Sequence, residues 1–145
     1  MNVSTKGRYA LRMMLDLAEH QGDGIVTLKD VAARQDISHK YLEQIVSILN
    51  RANLLQTIRG AQGGCRLAKP ADKCTVGEIL RITEGEMILS GSAEPQSQKT
   101  KRQRVDMTVD VWRGLAKAIN NYLDNITLQD ILDKDTQQRI SDYSI

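Results

Sequence analysis

Between Ser38 and Gln44 the chain carries Ser38, His39, Lys40, Tyr41, Glu43 and Gln44 almost without interruption. These side chains can bond to base edges and phosphates. Gln pairs bidentately with adenine, Glu accepts from cytosine N4, and Lys serves guanine or phosphate. That chemistry needs a helix inserted in a major groove, polar towards the bases and anchored on its other side. Leu42, Ile45, Val46 and Leu49 provide an anchoring stripe at helical spacing, with Tyr41, Glu43, Gln44 and Ser47 directed largely away from it. A solvated helix face accounts for such a pattern equally well, but the glycine-rich segment after this helix tips the balance. Arg59 opens the run Gly60-Ala-Gln-Gly-Gly64, flanked by Leu54 to Ile58 and Cys65 to Leu67, which read as strands. A hairpin directly after such a helix is a wing. Arg is favoured in narrow, strongly negative minor grooves, and glycines let backbone pass close to phosphates. The candidate DNA contacts are therefore Ser38, His39, Lys40, Tyr41, Glu43, Gln44, Arg59 and Gly60.

Other chemistries find less support. The only cysteines are Cys65 and Cys74, and the only histidines, His20 and His39, have no metal-ligand spacing. A cysteine nucleophile needs a base, and neither Cys has a local His partner. The glycine run turns between strands and opens no helix, so it is no phosphate-binding loop. No enzyme, metal site or cofactor is expected. Cys65 reads as a small, half-buried filler. Cys74 precedes a helix start and is expected to be more exposed; both are candidate redox thiols should a helix N-terminus lower a pKa.

The surrounding elements are set by caps and periodicity. Ser4 or Thr5 can cap a helix to about His20, with Ala10, Leu11, Met13, Met14, Leu15, Leu17 and Ala18 on its wide apolar face. Thr27-Leu-Lys-Asp30 resembles a capping box opening a short helix that turns Leu28, Val31 and Ala32 inward. The pattern breaks at Gln35-Asp-Ile37, and Ser38 caps the next helix, which gives a helix-turn-helix. Thr75-Val-Gly-Glu78 opens a helix with Val76, Ile79, Leu80 and Thr83 inward. Gly85 to Arg104, with the basic run Lys99, Lys101, Arg102 and Arg104, reads as a flexible loop. Trp112, Leu115, Ala116, Ile119, Tyr122, Leu123 and Ile126 then step at threes and fours, a long helix with a near-heptad stripe. Thr127 caps a short last helix with Leu128, Ile131 and Leu132.

The fold class is thus mainly α with a small β-hairpin. Residues 1–84 form a winged helix-turn-helix, 85–106 a flexible loop, and 107–145 a dimerisation helix with a C-terminal helix. The stripe Trp112, Leu115, Ile119, Tyr122, Leu123 and Ile126 is too apolar to leave in water and is the candidate dimer seam. Composition agrees. With 145 residues, 41% of them hydrophobic but none of them Phe, the core rests on aliphatic side chains and Met. The net charge of +2 does not announce a nucleic-acid binder, but Met1 to Leu67 holds nine Lys/Arg against six Asp/Glu. No signal peptide or apolar run of about 18 residues is visible, so a cytoplasmic location without membrane association is expected.

Four stretches carry a resemblance: Val3-Ser-Thr-Lys-Gly-Arg-Tyr-Ala-Leu11, Ser38-His-Lys-Tyr-Leu-Glu-Gln44, Ile58-Arg-Gly-Ala-Gln-Gly-Gly64 and Asn125-Ile-Thr-Leu128. In this order they closely resemble the winged-helix regulator family of IscR and CymR. The resemblance spans Met1 to about Leu132. It implies a homodimer on a palindromic operator, with Tyr41, Glu43, Gln44 and Arg59 as DNA contacts. Lys40 stands where a Ser is common, and Cys65 where an aromatic is usual. Cluster-binding members carry three Cys, often with a His, between the helix at Thr75 and the dimer helix. Here Met87 to Asp110 holds neither Cys nor His, and Val109 takes the approximate place of that His. The chain therefore resembles the cluster-free branch, which implies a repressor of cysteine or sulfur metabolism. The alternative input is iron–sulfur assembly or stress. The alternative of another class is a protein-interaction adaptor that no longer binds DNA. The effector, protein or small molecule, is left open.

Overall fold

A computed structural model of the chain describes residues 3–61, 63–85 and 107–143. The basic loop expected after Gly85 lies outside them. Among the described residues there are six α-helices: α1 (Thr5–Glu19), α2 (Leu28–Gln35), α3 (His39–Arg51), α4 (Val76–Glu84), α5 (Val109–Asp124) and α6 (Leu128–Tyr143). Strands β1 (Leu55–Ile58) and β2 (Gly64–Leu67) form an antiparallel hairpin between α3 and α4.

The starts of five helices are fixed locally by side-chain caps. Ser4, Thr27, Ser38 and Thr75 each accept a hydrogen bond from the backbone N–H three residues on, at Gly7, Asp30, Tyr41 and Glu78. At α6, Thr127 accepts from the Asp130 N–H at 3.1 Å. Each bond satisfies a donor that has no partner inside its helix. The turn between α2 and α3 is made by Asp36, which ends α2 in the left-handed region at φ 53°, and by Ile37, which is buried. The Ile37 N–H donates to the Ala32 carbonyl at 3.2 Å, which closes the end of α2.

One core joins these pieces. Ala10, Met13, Met14 and Leu17 of α1, Val31 of α2, and Leu42, Ile45 and Leu49 of α3 are almost fully buried, and Ile79 and Leu128 belong to the same cluster. The C-terminal segment shares this core through Leu128. It is stitched to the start of α4 by two backbone bonds, Val76 N–H to the Ile126 carbonyl at 2.9 Å and Leu128 N–H to the Cys74 carbonyl at 3.0 Å.

One expectation about the C-terminal segment needs correction, and one acquires detail. The last helix is not short: α6 runs to Tyr143, although only its first turns reach the core and its residues from Asp133 onward are exposed. The apolar stripe of α5 is divided. Ile119 and Leu123, with Ile126 just beyond the helix, are half-buried against Val76 and Leu80 of α4 in the same chain. Trp112, Leu115 and Tyr122 are exposed, along with Val111. The reason is that α5 packs across α4, where Arg81 also pairs with Asp124 (2.6 Å) and bonds Asn120 (3.3 Å). One flank of the stripe packs partly against α4 within the protomer, and the other is exposed.

Candidate nucleic-acid interface

The reading candidates stand on the outer side of α3. Leu42, Ile45, Val46 and Leu49 face the core, while Ser38, His39, Lys40, Glu43, Gln44 and Ser47 are exposed. The buried side is committed to folding, since truncating such a leucine costs about 2–5 kcal/mol. The polar side is held out rigidly as a result. The first turn of α3, like that of α1, carries no acid. The first turns of α2, α4, α5 and α6 each carry a carboxylate, at Asp30, Glu78, Asp110 and Asp130. The first turn of α3 has Lys40 instead. With no acid inside that turn, the partial positive end of the helix favours phosphate. Glu43 lies a turn further on and pairs with His39 at 3.2 Å, both side chains being exposed.

Tyr41 behaves differently from the other candidates. The helical periodicity directs it away from the core side, but it is half-buried. Its ring meets Tyr9 of α1 edge to face, with centroids 5.6 Å apart. The Ser-x-x-Tyr spacing does not reveal this, because the partner lies on another helix.

The wing places Arg59 and Gly60 at its exposed tip, next to β1. Gly60 takes φ 116°, where an L side chain would be strained. Gly64 is needed for an internal reason. A Cβ there would lie 2.3 Å from the Val26 carbonyl oxygen, because Val26 pairs with Cys65 as a one-residue third strand (Val26 N–H to Cys65 carbonyl, 2.9 Å). Gly64 thus has a packing role inside the wing in addition to any approach of the run to phosphate. Arg66, opposite Gln56 in the hairpin, donates to that side chain at 2.8 Å.

Sequence reasoning missed a charged group at the centre of the motif. Asp16 of α1 is only 2% exposed. Arg34 donates to both its carboxylate oxygens, at 3.0 and 2.7 Å, and Gln35 donates at 2.9 Å. Burial pushes its pKa up, but the bonds from Arg34 and Gln35 and the charges of Arg34 and His20 outweigh this and hold it below the ordinary value. The available signal was an acid at position 16 between the buried pairs Met13–Met14 and Leu17–Ala18.

The expectation for the thiols also needs correction. Cys74 is not the more exposed of the two; both are buried, Cys74 because the connection into α6 covers it. Burial raises each thiol to about 11, with Glu78 adding to the rise at Cys74 and Lys69 opposing it. At neutral pH the native thiols should react with DTNB about a hundredfold more slowly than in the denatured chain, in proportion to lost thiolate. Equal rates in the two states would contradict this burial. Among the described residues no cluster of His, Cys, Asp or Glu could hold a metal ion. Two enclosed, protonated thiols on different elements do not fit an iron–sulfur cluster, which takes mostly thiolate ligands. No helix in the described residues is long and apolar enough to cross a membrane.

A helix-turn-helix whose second helix presents polar side chains beside a hairpin wing defines a winged-helix DNA-binding protein. Residues 3–134 match the model of the Rrf2 family, described as "Iron-dependent Transcriptional regulator". The chain belongs to this family of transcriptional regulators. It is 38% identical to the regulator CymR of Bacillus subtilis over 131 residues, 90% of this chain and 89% of that one. It is 36% identical to IscR of Photobacterium profundum over 141 residues, covering 97% and 81% of the two chains. The solved structure of B. subtilis CymR, titled "the Global Cysteine Regulator", superposes with a TM-score of 0.77 at 35% identity, covering 92% of this chain and 98% of that one. That of T. potens IscR gives 0.75 at 39%, covering 93% and 88%.

Proposed function

We propose that this protein is a homodimeric, sequence-specific repressor that binds a palindromic operator without an iron–sulfur cluster. The observation that carries the reading is α3, anchored on its buried side, with no acid in its first turn and with Ser38, His39, Lys40, Glu43 and Gln44 exposed, followed by a hairpin with Arg59 exposed at its tip. Gln44 and Glu43 read bases, Lys40 and the helix end meet phosphate, and Arg59 enters the flanking minor groove. Similarity to CymR supports cysteine or sulfur metabolism as the regulated process.

Selection of bound duplexes from a random pool, followed by titration at several salt concentrations, tests the reading. On the selected duplex Gln44→Ala should weaken binding by about 1–3 kcal/mol and relax one base pair per half-site. Arg59→Ala should cost most where the flanks are A·T-rich. Equal losses on every duplex would show that these residues do not read sequence, and no salt-dependent binding at all would favour an adaptor.

The cluster-free part has its own test. The donor set offers two buried thiols per chain, and residues 87–110 hold neither Cys nor His. Protein purified anaerobically should lack visible cluster absorption and stoichiometric iron, and should bind the selected duplex as isolated. A stoichiometric cluster whose removal abolishes binding would sink this reading and favour an IscR-type input.

A further inference from the structure

The polar side chains of α1 form a continuous track to the reading helix. The Gln35 side chain, at the last residue of α2, donates to Asp16 and accepts from Arg12 Nε at 3.2 Å. Arg12 Nη2 also donates to the Gln35 main-chain carbonyl at 2.5 Å, one of the helix-end acceptors without an internal partner. The same guanidinium lies over the Tyr9 ring, 5.4 Å from its centroid. Tyr9 in turn meets Tyr41, in the first turn of α3, at an interplanar angle of 88°. One end of the track grips the residue before the turn and the other grips α3 just after it. The turn itself is only Asp36, Ile37 and Ser38, so these two grips bracket it.

We propose that Arg12 and Tyr9 are positioning residues for sequence reading: from α1 they fix the angle at which α3 meets the bases. The inference rests on α3 being the reading helix. Phosphate attraction is tolerant of small rotations, because charge acts over a Debye length. Bidentate base contacts are not, because each needs hydrogen-bond geometry at two atoms. Loosening the track should therefore lower specific affinity and leave sequence-independent affinity unchanged.

Arg12→Lys is the sharpest probe. It keeps the charge and sits on an exposed side chain, but a lysine cannot bond two Gln35 oxygens in one plane while stacking on Tyr9. Tyr9→Phe keeps the edge-to-face ring contact, and Tyr9→Leu removes it. Affinity would be measured for each variant on the duplex selected by the unaltered protein and on a scrambled duplex of equal length. Arg12→Lys and Tyr9→Leu should lose roughly tenfold on the selected duplex, the worth of one good base contact. They should match the unaltered protein on the scrambled duplex, and Tyr9→Phe should behave as unaltered on both. Specificity retained in Arg12→Lys, or parallel losses on both duplexes, would overturn the proposal. Should Tyr9→Leu unfold, Arg12→Lys alone decides. An unaltered protein that failed to distinguish the two duplexes would refute the reading role of α3 instead.

Discussion

A Trp112→Glu, Leu115→Glu double variant is expected to be monomeric and to bind its selected operator about a hundredfold or more weakly than the unaltered protein. Exposed surface is the first reason. Val111, Trp112, Leu115 and Tyr122 are 61%, 44%, 49% and 67% exposed, and all lie on α5. A contiguous apolar face of this kind on a small domain marks an interaction surface. A two-fold axis through it would set two reading helices against two half-sites, and linking two sites in this way strengthens binding by about 10²–10⁴. Carboxylates placed in the seam would face their own symmetry copies, where like charge and desolvation both oppose association. The obvious sequence choices, Ile119 and Leu123, make a poorer test, because they pack on Val76 and Leu80 and a charge there would unpack the protomer. Light scattering reports the mass, and circular dichroism reports whether helix content survives. A folded variant that remains dimeric would place the seam elsewhere.

How much of the fold and the reading face is legible in the sequence depends on the range of the interaction. The caps at Thr27, Ser38 and Thr75 are readable because donor and acceptor lie three residues apart. The α3 stripe is readable because one helix sets its own periodicity. The length of α6 is not: beyond Leu132 the sequence Asp-Lys-Asp-Thr-Gln-Gln-Arg is polar throughout, and a helix without an apolar face leaves no periodic mark. The burial of Cys74, the need for Gly64 and the division of the α5 stripe depend on partners far along the chain, namely the connection into α6, Val26 and α4. At the reading face, residue types identify which side chains could meet DNA. They do not show that Tyr41 is held by Tyr9 while Glu43 pairs with His39.

Arg34→Ala is expected to lower stability by about 3 kcal/mol at pH 7, which for a chain of this size shifts the unfolding midpoint by about 6–12 °C. Removing one member of a buried pair leaves the other charged and poorly solvated, and Asp16 is the member left inside. The figure is at the low end for such changes for two reasons. Gln35 still donates to the carboxylate at 2.9 Å, and Arg34 is itself about a third exposed, so part of its charge was already spent on water. The pH dependence identifies the cause. In the unaltered protein the carboxyl of Asp16 is held below 3.8, so its contribution is fully present above that value and is lost as pH falls through the lower native pKa. Between pH 7 and pH 5 this group should leave stability unchanged. Without Arg34 the upward push of burial loses its main opponent, and the carboxyl should take up a proton more readily in the folded chain than in the unfolded one. Acidification then relieves the variant, and the difference in midpoint between the two proteins should narrow as pH falls from 7 towards 4. Denaturation followed at several pH values supplies the measurement. A difference that stays constant across that range would mean that the loss comes from packing of the Arg34 stem, and not from a stranded charge at Asp16.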